Sequence, residues 1–243
     1  MKKKLRIGSL ISGGGTNLQA IIDSCVNGKI DGEIVFTGSD TPDVKGLERA
    51  QKAGIDTFVV DYKKIIQDAK ENLNSLVLPN DFNFDDIKAK QQLIKNGADG
   101  KKIEFFLKTR AVAERMLLDK IEPYKIDLLV LAGFMRTLTP YFIDRVNRVK
   151  GEHKIMNIHP ALLPAFPGTD GYGDTFRYGC KVGGCTVHFI DYGEDTGPII
   201  GQRAFQIEDK DTLDIVKQKG LALEWQLYPE CIQKFAKALI SKL

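Results

Sequence analysis

Apolar and polar positions along the first sixty residues switch between two periods. The stretch LRIGSLI (5–11) is largely apolar, as a strand covered on both faces must be. LQAIIDSCV (18–26) then spaces its apolar residues three and four apart, the mark of one helix face. GEIVFTGS (32–39) predicts a second strand, DVKGLERAQKAG (43–54) a helix stopped by Gly54, and IDTFVVD (55–61) a third strand. This alternation predicts a parallel sheet joined by right-handed crossovers.

From 62 to 109 the pattern dissolves into Lys, Asp and Asn. LPNDFNFDD and KNGADGKK read as loops around a helical piece, DDIKAKQQLIKN, and the whole reads as a charged surface insertion made of solvated helices. Helical spacing returns in TRAVAERMLLDKIEPY (109–124). IDLLVLAGF (126–134) follows as a central strand, apolar throughout, and KIMNIH (154–159) as another. GCTVHFID (184–191) and PIIGQRAFQI (198–207) predict a hairpin across YGEDTG. A long helix from about 212 to 243 closes the chain, with Pro229 as its point of interruption. One domain over 1–243 is the organisation expected, since 243 residues suffice for a sizeable core and no repeat or low-complexity linker divides them.

Composition narrows the function classes. Apolar residues are 43% and charged residues 28%, an ordinary soluble balance, and a net charge of +3 gives no sign of a nucleic-acid partner. The opening MKKKL is basic, but LRIGSLISGGG breaks off too soon for a signal-peptide core. No apolar run approaches the length of a membrane span. A cytoplasmic location is expected. Cys25, Cys180, Cys185 and Cys231 form no CxxC pair, and Cys180 with Cys185 lacks a second pair at zinc-like spacing, so free thiols are expected and no metal.

In open α/β sheets ligands gather at the carboxyl ends of the strands. Three stretches fall there. SGGGTN (12–17) is a glycine-rich turn from strand to helix, suited to pointing N–H groups at an anion. It lacks the GK[ST] of a P-loop and has Leu18 where G-x-G-x-x-G requires its third glycine, which favours a monophosphate over a dinucleotide. A tight βα turn capped by Thr16 or Asn17 is the plainer alternative. Asn157 and His159, one residue apart at a strand end, share a face with Ile158 opposite. An amide that donates to an oxyanion and a ring that carries a proton near neutrality suit acyl transfer, and Pro160, Pro164 and Pro167 stiffen the loop beyond. EDTGPI (194–199) places Asp195 in the hairpin loop, where a carboxylate meeting His159 would hold the ring charged; an ordinary turn is the alternative. His188, in an alternating strand, reads as a core or surface residue rather than a catalytic one. His153 reads as exposed, and Trp225 and Tyr228, three apart on the last helix, as packing residues.

The segments ISGGGTNLQAIID, GLERAQKAGI, LAGFMRTLTP, NIHPALLPAFPG, VHFIDYGEDTGPII and EWQLYP, in this order, resemble the folate-dependent glycinamide ribonucleotide formyltransferase family. They cover nearly all of the chain outside 62–109. The resemblance implies a Rossmann-like formyltransferase fold: a mostly parallel twisted sheet, helices on both faces, a C-terminal hairpin and a long helix. It implies transfer of the formyl group of 10-formyltetrahydrofolate to the amine of glycinamide ribonucleotide, without a metal, by a monomer or homodimer. By the same resemblance Asn157, His159 and Asp195 are the catalytic trio. Gly15, Thr16, Asn17, Pro160 and Glu224 bind the ribonucleotide. Arg110, Met135, Arg136, Leu138, Asp191, Tyr192, Gly193 and Glu194 bind the folate.

The chain departs from the family pattern in three places. TDGYGDTFRYG after FPG has no His, where the family has a His-containing loop; Leu221 stands where the family often has a basic residue; and 62–109 has no familiar counterpart. A 10-formyltetrahydrofolate hydrolase, another amine acceptor such as an amino sugar nucleotide, and a non-catalytic binding module are the alternatives. The start of the chain on its first strand counts against the hydrolase, and the retained trio against the binding module. A methionyl-tRNA formyltransferase would need a further C-terminal domain, for which no room remains after the last helix.

Overall fold

Seven strands form one sheet in the order β3-β2-β1-β4-β5-β6-β7. The computed structural model describes residues 4–94, 98–149 and 151–240. The basic opening, the junction of DDIKAKQQLIKN with KNGADGKK, and the last three positions of the closing helix lie partly or wholly outside them. The strands are β1 (Leu5–Ile11), β2 (Gly32–Ser39), β3 (Asp56–Val59), β4 (Leu128–Leu131), β5 (Ile155–His159), β6 (Val182–Phe189) and β7 (Ile199–Gln206). The helices are α1 (Thr16–Val26), α2 (Lys45–Lys52), α3 (Tyr62–Glu71), α4 (Phe84–Lys90), α5 (Gly100–Ile121), α6 (Pro140–Asn147), α7 (Gly171–Arg177) and α8 (Leu213–Ile240). Strands β1 to β5 pair in parallel, while β6 runs antiparallel to β5 and β7 to β6. The mostly parallel α/β sheet and the C-terminal hairpin are as expected from the sequence.

The period-2 alternation of the central strands divides the core in two. In β4, Leu128 and Val130 face α1 and α8, while Leu129 and Leu131 face α5 and α6. All four are buried, and each contributes roughly 1.5–3 kcal/mol over an exposed position. Tyr228 of α8 is fully buried and donates to the carbonyls of Leu131 (3.1 Å) and Met156 (2.8 Å), which ties the last helix to two adjacent strands.

Several boundaries differ from the expectation. The segment 62–109 is mostly helical. Asp61 caps α3 by accepting from the Lys64 amide at 2.9 Å, and Tyr62 is fully buried. Helix α5 begins at Gly100 rather than near 109, because Asp99 accepts from the Lys101 amide and Ile103 and Leu107 bury against Ile87 and Tyr141. An apolar seam therefore runs beneath the charged positions. The strand expected over 126–134 is ordered as strand only at Leu128–Leu131, since Gly133 at φ +82 turns the chain away. Helix α8 runs through Pro229 without a break. Trp225 is 42% exposed although Tyr228 packs, and His153 is half-buried and stacked on Phe189 rather than exposed. Helices α6 and α7 were not foreseen; Pro140 opens the first, and the second is rich in glycine.

Candidate active site

Strand order reverses between β1 and β4, so the loops leaving their carboxyl ends diverge and leave a crevice. A cavity of about 440 Å³ lies there, lined by the ends of β4 and β5, the 168–172 loop, the 193–195 loop and α8.

The glycine-rich turn borders this cavity. Gly15 is the N-cap of α1 at φ +69, and a Cβ on it would stand 2.6 Å from the Gly46 Cα, so only glycine fits. Among the described residues no side chain caps the first turn of α1, so its N–H groups suit an anion. Capping by Thr16 or Asn17 is thus not what the turn is built for. Asn17 instead donates from Nδ2 to Glu224 Oε2 at 2.7 Å. The hydroxyl of Ser12 accepts from the Met135 amide at 2.8 Å, which links this turn to the loop after β4.

Strand β5 presents Asn157 and His159 to the cavity while Met156 and Ile158 enter the α8 side of the core. The hairpin loop folds back over this face. His159 Nδ1 lies 3.2 Å from Asp195 Oδ2, and His159 Nε2 lies 2.8 Å from the Phe166 carbonyl. Both ring nitrogens face acceptors, a setting that suits the doubly protonated ring. The ring is 2% exposed. Burial pushes the Asp195 carboxyl up, but the His188 hydrogen bond, the Gly168 amide (2.8 Å) and the charges of both rings hold it below the usual carboxylate range. Asp195 itself sits at φ +55.

Sequence reasoning missed His188. It pairs across the sheet with Asn157, is fully buried, and places Nε2 3.3 Å from Asn157 Nδ2 and 3.5 Å from Asp195 Oδ1. Its Nδ1 faces the Phe189 carbonyl at 2.9 Å and so carries a hydrogen. With Nδ1 as donor, Nε2 is left between the Asn157 amide and the Asp195 carboxylate, and the amide keeps an N–H that this contact does not use. The pairing of β6 with β5, which the sequence pattern did not show, sets this histidine opposite the asparagine.

Glu224 is 4% exposed and fully engaged. Its Oε1 accepts from the Tyr172 hydroxyl at 2.6 Å and its Oε2 from Asn17. Burial raises its pKa, and these two hydrogen bonds oppose the rise. Burial and the Glu224 charge push the Tyr172 phenol far up, so its proton stays on oxygen. The phenol reaches Glu224 over Gly220, where a Cβ would overlap its ring. No motif announced Tyr172, because its role depends on a glycine nearly fifty positions away.

The remaining sequence-derived residues divide. Asn17, Met135, Arg136, Leu138, Pro160, Gly193, Glu194 and Glu224 line the cavity with the trio. Met135 is exposed and Leu138 buried, and Arg136 is ion-paired with the buried Asp40. Gly15 and Thr16 lie just behind Asn17, outside the lining. Asp191 braces its own loop by accepting from the Gly193 amide and the Thr196 hydroxyl, and Tyr192 donates to Asp144. Arg110 is buried on α5 over the rings of Tyr62 (5.2 Å) and Phe106 (4.9 Å), outside the lining.

Comparison with known proteins gives a consistent picture. Residues 5–232 match the formyl transferase family. The chain is 32% identical over 223 residues to the phosphoribosylglycinamide formyltransferase of Bacillus subtilis (strain 168), covering 92% of this chain and 90% of that one. It is 32% identical over 237 residues to the trifunctional purine biosynthetic protein adenosine-3 of Gallus gallus, covering 98% of this chain and 19% of that larger protein. The crystal structure of glycinamide ribonucleotide transformylase 1 from Symbiobacterium toebii resembles it with a TM-score of 0.74 at 35% identity, covering 97% of this chain and 89% of that one.

Proposed function

The chain belongs to the formyl transferase family, and on that premise we propose how its cavity carries out formyl transfer. The chain is an enzyme of purine biosynthesis that formylates glycinamide ribonucleotide, with 10-formyltetrahydrofolate as co-substrate. The amine of the ribonucleotide attacks the formyl carbon. The carbonyl oxygen becomes an oxyanion, the bond from carbon to N10 of the folate then breaks, and the amine's proton passes to that nitrogen, giving N-formylglycinamide ribonucleotide and tetrahydrofolate.

The free N–H of Asn157 donates to the oxyanion, and the imidazolium of His159 adds positive charge beside it. A donor aimed in this way is typically worth about 3 kcal/mol of barrier. Asp195 keeps the ring charged and oriented, and His188 orients Asn157. At the ribonucleotide end, the first turn of α1 with Gly15, Thr16 and Asn17 holds the phosphate, while Pro160 and Glu224 face the ribose. At the folate end, Met135, Arg136, Leu138, Gly193 and Glu194 form the walls and Asp191 and Tyr192 brace the loop behind them, while Arg110, expected at the glutamate tail, lies buried on α5 outside this lining.

The observation that carries this reading is the convergence of Asn157, His159 and Asp195 on one cavity, with His159 Nδ1 and Asp195 Oδ2 3.2 Å apart. The test is to supply 10-formyltetrahydrofolate with and without glycinamide ribonucleotide and follow tetrahydrofolate release. Release that requires the amine supports the transferase. Release that ignores it means a hydrolase, and no release in either case means a binding module.

A further inference from the structure

The hairpin that carries Asp195 has its base away from His159. The Phe189 amide donates to the Pro198 carbonyl at 2.9 Å, and Phe189 pairs with Met156, three residues before His159 on β5. The loop between Phe189 and Pro198 must therefore fold back along the sheet face before Asp195 can meet the ring. Within the loop, Asp191 ties down Gly193 and Thr196, but these bonds fix only its local shape.

Besides the Gly168 amide on Asp195 itself, its position over the sheet is held from outside through Tyr192. The Tyr192 carbonyl accepts from the Gln92 amide at 2.9 Å, and the Tyr192 hydroxyl donates to Asp144 of α6. Asp144 also takes Lys90 of α4 at 3.2 Å, and Lys90 is held in turn by Asp86 at 2.9 Å. The same stretch is fastened to α6 at its other end. Asp81 accepts from the Tyr141 hydroxyl at 2.9 Å and pairs with Arg145 at 2.8 Å, and Phe82 meets the Tyr141 ring edge-on at 5.8 Å. Burial, with Asp144 beside it, raises the Tyr192 phenol to about 12, so the donor persists across the neutral range.

We propose that residues 81–94 are a strap that positions the catalytic loop, with Lys90 and Gln92 acting through Tyr192 to hold Asp195 against His159. This gives the charged segment a role in the reaction although none of its described residues lines the cavity. The inference rests on the assignment of Asp195 as the partner of His159 in formyl transfer. Lys90 and Gln92 are positioning residues, and their effect falls on the folate wall and on turnover, not on the ribonucleotide end across the cavity.

The test uses the full chain with Lys90→Met, which removes the ammonium from Asp144, and Gln92→Pro, which removes the amide donor. Lys90→Arg is the conservative control. Steady-state constants for both substrates are measured together with hydrogen exchange of residues 190–196. Each disruptive variant is expected to lower kcat by about tenfold or more, since small misplacements of a catalytic group have effects of this size. KM for the folate should rise, KM for the ribonucleotide should stay within about twofold, exchange of 190–196 should quicken, and Lys90→Arg should restore all of these. Unchanged kinetics and unchanged exchange, with or without a lower Tm, would overturn the strap, as would equal rises in both KM values. If the native chain shows no turnover, the formyl-transfer reading fails while exchange of 190–196 still decides the strap.

Discussion

Tyr172→Phe removes a single oxygen, and the structure sets the size of the effect. The phenol donates at 2.6 Å to a carboxylate that is almost wholly buried, and among the described residues Asn17 is its other donor. A hydrogen bond to a buried charge is worth about 1.5–3 kcal/mol. At about 2.1 cal/mol/K per residue, a chain of 243 residues has an unfolding entropy near 0.5 kcal/mol/K, so a loss of about 2 kcal/mol lowers Tm by about 4 °C. The deficit depends on pH, with a definite sign. Burial raises the folded pKa of Glu224 above the unfolded value, and losing the Tyr172 bond raises it further. Below the unfolded carboxylate pKa of about 4.3 the group is protonated in both states and the hydroxyl supplies only a neutral hydrogen bond of about 1 kcal/mol. As pH rises through the folded value, the charged form must be held by Asn17 alone and the deficit grows to its full size. Differential scanning calorimetry from pH 4.5 to 8 should therefore show a Tm deficit that roughly doubles, while KM rises for the ribonucleotide and not for the folate. Gly220→Ala, which pushes a methyl into the phenol, should give the same pattern. A deficit that is flat with pH would refute the assignment of Glu224 as the charged partner.

The other expectations concern the trio, a buried acid and the glycine turn. Asn157→Ala should lower kcat by about 10²–10³, and His159→Ala and Asp195→Ala should each remove most turnover while thermal unfolding stays cooperative; near-native rates in any of the three would refute its role. Burial pushes the Glu114 carboxyl to about 7 against the opposing hydrogen bonds of Thr139. Its contribution to stability is complete below the unfolded carboxylate range and is lost as pH rises through about 7. Glu114→Gln should therefore flatten stability against pH over that window by up to about 1.4 kcal/mol per pH unit, read from Tm at each pH. Gly15→Ala forces a Cβ onto Gly46 at positive φ, and should cost at least about 1 kcal/mol of stability and weaken ribonucleotide binding in a titration.

The sheet was legible because its signals are local. The apolar run of β4 and the alternation of β5 follow from what each strand must bury, and the hairpin from two strands set around a turn. The segment 62–109 was misread because its seam is made of widely spaced residues, Phe82, Ile87, Ile103 and Leu107, that face a partner, Tyr141, lying outside it. The start of α5 hangs on one capping aspartate among many. In the site, Asn157 and His159 were legible from strand periodicity, whereas the approach of Asp195 requires a loop that folds back over the sheet. Tyr172 was hidden because its partner Glu224 is 52 positions away and the gap it crosses is the absence of a side chain at Gly220.

The bond between Asn17 and Glu224 joins residues 207 positions apart, so the first helix and the last meet at the ribonucleotide end. During synthesis the sheet strands emerge well before α8 does. Until that final helix docks, Leu128, Val130, Met156 and Ile158 have an uncovered flank, and the pocket is open on the side that Glu224 will close. Completion of the pocket is thus tied to the docking of α8. A nascent polypeptide whose α8 is still inside the ribosomal tunnel has no finished ribose seat, and a product lacking α8 would be a target for chaperones and proteases rather than a weakened enzyme.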